Sequence, residues 1–182
     1  MSASFRYAAI AIAACVSVAV AQNPVRSGIA DEMPDGAAVS SKPVPIRQKI
    51  GQMIQVGFVG DRVSRSGVRR VLEQLESGEI GGVLYLGRNL KNKRSVQRMN
   101  AAFREAAPAI LPPLIAIDQE GGRVQRLRGR DGFPETPSAK HVARNNSPED
   151  AETTYSVLAE NLADWGFTLN LGPVVDVDAN PR

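Results

Sequence analysis

From residue 46 onward, compact apolar runs alternate with stretches whose apolar positions recur at helical spacing. The compact runs are "MIQVGF" (53–58), "GGVLYLG" (81–87), "PLIAID" (113–118) and "TLNLGPVVDV" (168–177), each short enough for a strand. A short helical approach, "IRQKIGQ", precedes the first. In "SGVRRVLEQLESG", Val68, Val71, Leu72 and Leu75 fall on one helical face, and Gly78 marks the C-terminus. "NKRSVQRMNAAFREAAP" repeats the pattern with Val96, Met99 and Phe103, and stops before Pro108. "SPEDAETTYSVLAENLADWGF" opens with Ser147 as N-cap, Pro148 in the first turn and acids beside it, all helix-start signals.

The predicted order is strand, helix, strand, helix, strand, long polar loop, helix, strand. Continuously apolar strands at βαβ spacing predict an α/β fold whose parallel sheet is covered on both faces. A doubly wound sheet and a TIM-type (β/α)8 barrel both satisfy this pattern. The polar residues tip the balance. The runs end in Gln55 and Gly57, Gly87-Arg88-Asn89, Asp118-Gln119-Glu120 and Asp176-Asp178-Asn180. In a barrel those C-terminal ends converge on one face, where sites form. No Gly-x-Gly-x-x-Gly follows the first strand, which weakens a nucleotide-binding sheet. A whole barrel takes about 250 residues. Four strands therefore predict the N-terminal portion of a barrel, about four βα units, cut short.

The first 45 residues have a different texture. "MSASFRY" carries one positive charge, a short apolar run follows, and Ala19-Val20-Ala21 fits a small-x-small cleavage site. The run is shorter than the roughly 20 residues of a membrane span. Residues 1–21 are thus expected to be a signal peptide cleaved near Ala21, with export to the periplasm or outside the cell. Ile12-Ala13-Ala14-Cys15 resembles a lipoprotein box and makes a lipid anchor at Cys15 the alternative. Residues 22–45, rich in Pro, Gly and Ser, read as a flexible linker, and 46–182 as the folded unit. Formal charge is +3, or +2 once the leader takes Arg6 with it; the bases are interspersed with acids, which argues against a nucleic-acid partner. One cysteine and one histidine exclude a His/Cys zinc site within these residues.

The stretch with most chemistry is "IAIDQEGGRVQRLRG" (115–129). Asp118 directly follows a buried strand, so its carboxylate is expected over the barrel mouth, where it can accept from adjacent hydroxyls. Gly121-Gly122 lets the backbone turn without a Cβ clash. Arg126 then supplies a planar fork of donors. Together Asp118 and Arg126 form a candidate clamp for a polar ligand, against the plainer reading of a turn residue and a solvated arginine. Arg123, Arg128 and Arg130 read as surface or structural ion-pair residues. Asp176 and Asp178 are a second acidic pair one strand further round the mouth, and structural roles such as loop capping are favoured over catalytic ones. Lys140-His141 has no partner carboxylate at a telling spacing and reads as surface. Trp165 and Phe167 read as core anchors.

"KIGQMIQVGF", "GGVLYLGRNL", "PLIAIDQEGGRVQRL", "FPETPSA" and "LAENLADWGFTLNLGPVVDVDANPR", in this order, resemble glycoside hydrolase family 3, in particular its bacterial β-N-acetylhexosaminidase branch. The likeness covers Ile46 to Arg182. It implies a barrel enzyme that removes terminal β-linked N-acetylglucosamine from peptidoglycan- or chitin-derived sugars with retention, using no metal or organic cofactor. It also implies that Asp118 and Arg126 bind substrate. The family's acid/base histidine, which follows a Lys-His-Phe-Pro-Gly-like motif, and its aspartate nucleophile are expected beyond position 182. Lys140-His141 lacks that continuation, so no residue here is expected to be catalytic and the 182-residue chain alone is expected to be inactive. A β-glucosidase of the same family and a non-catalytic sugar-binding protein are the alternatives.

Overall fold

The structure is a computed structural model that describes residues 43–176. The expected signal peptide and nearly all of the linker, together with Asp178 and Asn180, lie outside the described residues. The elements are α1 (Ile46–Gly51), β1 (Gln55–Gly57), α2 (Ser66–Glu76), β2 (Gly82–Tyr85), α3 (Lys93–Ala106), β3 (Leu114–Ile117), α4 (Ala139–Asn145), α5 (Pro148–Asp164) and β4 (Leu169–Asn170).

All strand pairs are parallel and the sheet order is β1-β2-β3-β4. Each strand lies beside its predecessor, with no reversal of direction across the sheet. A doubly wound fold requires such a reversal, whereas a barrel wall is built without one. The described residues therefore form a four-strand arc of a (β/α) barrel wall, as the positions of the polar strand ends predict.

The core lies between this wall and the helices. Val83 and Tyr85 of β2 and Ile115 and Ile117 of β3, two residues apart on each strand, face Val68, Val71 and Leu75 of α2 and Val96, Met99 and Phe103 of α3. Leu158 and Leu162 of α5 complete the layer with Trp165 and Phe167. Tyr85 meets Phe58 and Phe167 edge to face, each with ring centroids 5.0 Å apart.

The helix ends follow from local sequence. Ser147 accepts the Asp150 N–H at 3.1 Å and Asn92 accepts the Ser95 N–H at 2.9 Å, each closing an N-terminus. At the end of α2, Gly78 (φ +72°) takes the left-handed position that closes a Schellman turn. Its N–H donates to Leu75 and that of Glu79 to Gln74. The end of α5 closes in the same way at Gly166 (φ +88°), whose N–H donates to Ala163 while that of Phe167 donates to Leu162, and its neighbour α3 adds further bonds. Gln97, Asn100 and Arg104 of α3 donate to the carbonyls of Asp164, Trp165 and Gly166 at 2.8, 2.9 and 2.9 Å. Lys93 pairs with the Asp164 carboxylate. Positions 93, 97, 100 and 104 share one helical face, so α3 presents a comb of donors to carbonyls that a helix end leaves unpaired.

Three expectations are corrected. The sheet is not covered on both faces among the described residues. Gln55 and Gly57 are exposed, Leu114 is 48% exposed, and just before β1 Met53 is 86% exposed. The face opposite the helices is the barrel's inner lining, buried at Gly82 and Ala116 and open at the positions just named. Second, the apolar runs over-extend the strands. β4 spans only Leu169–Asn170, because Gly172-Pro173 follows and proline has no N–H for the ladder. Third, the long polar loop contains α4, capped by Ser138, whose hydroxyl accepts the His141 N–H at 3.3 Å.

Candidate functional site

Alternation along β3 directs Ile115 and Ile117 toward the helices, so the next residue, Asp118, belongs to the inner side of the wall at its C-terminal end. The chain then turns back on itself at Gly121 (φ +88°) and Gly122 (φ +58°). A Cβ on Gly121 would lie 2.2 Å from the Pro137 carbonyl oxygen, and one on Gly122 would lie 2.7 Å from the Ser138 Cβ. This close approach is sealed by the Gly122 N–H donating to the Thr136 carbonyl at 2.8 Å. The expectation that the glycine pair permits a tight turn is met, and the structure adds what the turn packs against.

The turn delivers Arg126 to Asp118. Arg126 Nη2 donates to Asp118 Oδ2 at 2.7 Å, and the two side chains remain 35% and 24% exposed. A charge-assisted bond of this length is among the stronger kinds of hydrogen bond. The acceptor and donor singled out in the sequence are thus side by side at the mouth. Glu120 lies beside them. Its carboxyl is held above its ordinary value, first by burial and then by a hydrogen bond with Asp118 and that group's negative charge; Asp176 adds to the effect and Arg126 opposes it.

The residues that hold this geometry are ones the sequence pattern did not flag. Gln119, next after Asp118 and therefore on the opposite side, is fully buried. Its Oε1 accepts the N–H groups of Arg126 and Leu127 at 2.8 and 3.0 Å, and its Nε2 donates to the Leu127 carbonyl at 2.8 Å. Asn170 of β4 clasps the Gln119 main chain, accepting its N–H at 3.0 Å and donating to its carbonyl at 2.9 Å. Further along, Gln125 donates to Gly122 and Glu135 and accepts the Thr136 N–H. Glu135 also accepts the Gly129 N–H at 3.0 Å. That backbone bond, then the one from Gln125, holds the Glu135 carboxyl below its ordinary value. The signal in the sequence was alternation itself: an amide directly after an inward-facing strand-end aspartate must turn into the layer beneath.

The other candidates separate cleanly. Arg128 donates to the carbonyls of Gln125 and Arg123, so it braces main chain, and its charge also acts on Glu135; Arg130 lies 3.9 Å from Asp131 at the surface, and Arg123 is exposed. His141 is exposed on α4, away from any carboxylate bond. Trp165 and Phe167 are buried core residues, with Trp165 edge to face against Phe133 at 5.9 Å. Asp176 is exposed. Asn89, also unflagged, is fully buried and donates to the carbonyls of Phe58 and Gly60, joining the loops after β1 and β2. Among the described residues no group of three or more His, Cys, Asp or Glu could hold a metal ion, and no helix is long and apolar enough to cross a membrane.

Sheet order, an outer core and a polar ion pair at the strand ends define a (β/α)-barrel protein with its site at the mouth. The family model described as "Glycosyl hydrolase family 3 N terminal domain" matches residues 45–182, and the chain belongs to that family. Among curated relatives, the beta-hexosaminidase of Vibrio cholerae is 40% identical over 106 residues, 58% of this chain and 31% of the relative. That of Pseudomonas aeruginosa is 38% identical over 105 residues, 57% of this chain and 30% of the relative. Among solved structures, a glycoside hydrolase family 3 beta-N-acetylglucosaminidase from Paenibacillus superposes with a TM-score of 0.67 at 29% identity, over 76% of this chain and 26% of that one. The chain spans about a third of the length of the curated relatives it matches.

Proposed function

We propose that this chain forms the sugar-clamping side of a retaining glycoside hydrolase that removes terminal β-linked N-acetylglucosamine from peptidoglycan- or chitin-derived saccharides. The observation that carries the reading is the Asp118–Arg126 pair, 2.7 Å apart and partly open at the mouth of the arc. A carboxylate accepts from two neighbouring sugar hydroxyls, and a guanidinium donates to hydroxyl, ring or carbonyl oxygens. Each holds the other in place, so a saccharide meets a clamp whose orientation is already set. The hexosaminidase and acetylglucosaminidase names of the relatives support the choice of sugar. Retention requires a carboxylate nucleophile and a separate acid/base on either side of the scissile bond. Asp118 is engaged with Arg126, and we assign both catalytic roles to residues outside positions 1–182.

The test uses the full 182-residue chain. N-acetylglucosamine is expected to bind more tightly than glucose, and Asp118→Asn to weaken that binding about tenfold, roughly the value of one charge-assisted contact. An aryl N-acetylglucosaminide is expected to show no turnover above the buffer blank. Equal binding of glucose would favour the β-glucosidase reading, and turnover would overturn the placement of the catalytic groups.

We infer in addition that residues 1–21 direct export and are removed after Ala21. The positive first segment, the short apolar run and Ala19-Val20-Ala21 support this. N-terminal sequencing of the protein from its source is expected to start at Gln22; a retained Met1 or a lipid-modified Cys15 at the start would refute it.

A further inference from the structure

We propose that Gln119 is the positioning residue of the clamp: its buried amide sets where Arg126 stands relative to Asp118, and Asn170 sets where that amide stands relative to β4. The inference rests on the reading of Asp118 and Arg126 as sugar ligands, and adds to it the part that fixes their geometry.

The segment from Gly121 to Gln125 is a surface turn, and the Arg126 guanidinium hangs from its far end. Between Glu120 and Val124 the turn is closed by a single main-chain bond at 3.0 Å. Gln125 and Arg128 tie the turn to itself and to residues 135–136. The Gln119 amide fixes the chain returning beyond the turn with three bonds, to the N–H of Arg126, the N–H of Leu127 and the carbonyl of Leu127. It therefore imitates a paired strand edge, reading both donor and acceptor of the returning chain. The two bonds to Leu127 are buried and the one to Arg126 is partly buried.

Asn170 repeats the device one strand further on. Its amide gives the Gln119 main chain an acceptor and a donor, at 3.0 and 2.9 Å, where the β3–β4 ladder runs out. The chain of contacts runs Asn170, Gln119, main chain of 126–127, Arg126, Asp118. The Gln119 side chain bonds to the main chain of Arg126 and Leu127, so it acts through Arg126. Arg126 Nε adds a witness: it is buried, with no hydrogen-bond partner among the described residues. A buried N–H without a partner is uncommon in folded proteins, and its exchange reports on how the Arg126 side chain is held.

The full chain carrying Gln119→Met, which keeps length and bulk and removes the amide, is compared with the parent by NMR hydrogen exchange and by titration with N-acetylglucosamine. The amides of Arg126 and Leu127 and the Arg126 Nε–H are expected to lose protection by about a hundredfold, while those of Val83 and Ile115 in the sheet keep theirs. Affinity for the sugar is expected to fall about tenfold. Parent-like protection of the Arg126 Nε–H, with affinity within twofold, would overturn the proposal. If Gln119→Met also loses protection at Val83 and Ile115, Asn170→Ala decides by the same Arg126 readout. An unchanged Arg126 Nε–H there overturns the proposal, and a weakened one upholds it. Should Asp118→Asn abolish sugar binding while Gln119→Met leaves it intact, the clamp stands and the positioning role falls. Should the parent bind no sugar, the functional reading falls and exchange at Arg126 alone judges Gln119.

Discussion

Gly121→Ala is expected to cost about 3 kcal/mol and to lower the melting temperature by roughly 10 °C. Two effects combine. Alanine at φ +88° is strained by about 1–2 kcal/mol before any contact is considered. Its methyl would then lie 2.2 Å from the Pro137 carbonyl oxygen and 3.0 Å from that of Thr136. Both are main-chain atoms, so no side-chain rotation relieves the overlap. The 133–138 segment must retreat, and with it goes the bond from Gly122 N–H to the Thr136 carbonyl, adding about 1 kcal/mol. Gly132 is the control. It is also left-handed, at φ +76°, but a methyl there meets nothing within 4 Å, so Gly132→Ala is expected to show the strain alone. Thermal melts of the two variants check this; equal losses would show that the contact with Pro137 does not matter.

Asn100→Leu is the second large effect, about 3 kcal/mol by denaturant unfolding. Asn100 is fully buried in α3, and leucine there is both apolar and bulkier. What leucine cannot do is accept the Tyr85 hydroxyl, bonded at 2.6 Å, or donate to the Trp165 carbonyl at 2.9 Å. Each group would be left buried without a partner, at roughly 1–3 kcal/mol apiece. Burial already pushes the Tyr85 phenol well above its ordinary range, so ionisation offers no escape. Tyr85→Phe in the Asn100→Leu background is expected to recover about 1 kcal/mol by removing one orphan. No recovery would mean that the hydroxyl finds another partner and that the Tyr85–Asn100 bond contributes nothing.

Both effects fall on residues at the edge of what the sequence discloses. Periodicity disclosed the helices nearly to the residue, since Val96, Met99 and Phe103 are all fully buried and Ser147 caps as its type and position require. The polar strand ends disclosed the barrel, because a residue beyond an apolar strand has few places to go. The spacing of Asp118 and Arg126 across two glycines disclosed a possible pairing, since a turn of that length brings its ends together. The strand lengths were overdrawn, because apolar residues such as Met53 and Leu171 belong to the exposed lining and the loops as well as to the ladder. The amides stayed hidden for a different reason. Gln119, Asn170, Asn100 and Asn89 bond chiefly to main-chain atoms of distant segments, and any residue supplies those atoms. Nothing in the partner's identity marks it; only the folded path of the chain does.

The comb of side chains on α3 has a consequence for how the protein is made. Lys93, Gln97, Asn100 and Arg104 precede their partners at the end of α5 by 71, 67, 65 and 62 residues. They leave the ribosome first. By the time the last turn of α5 emerges, α3 has already been synthesised, and it carries the donors for the carbonyls at that helix end. Synthesis from the N-terminus thus delivers these donors before the carbonyls they bond.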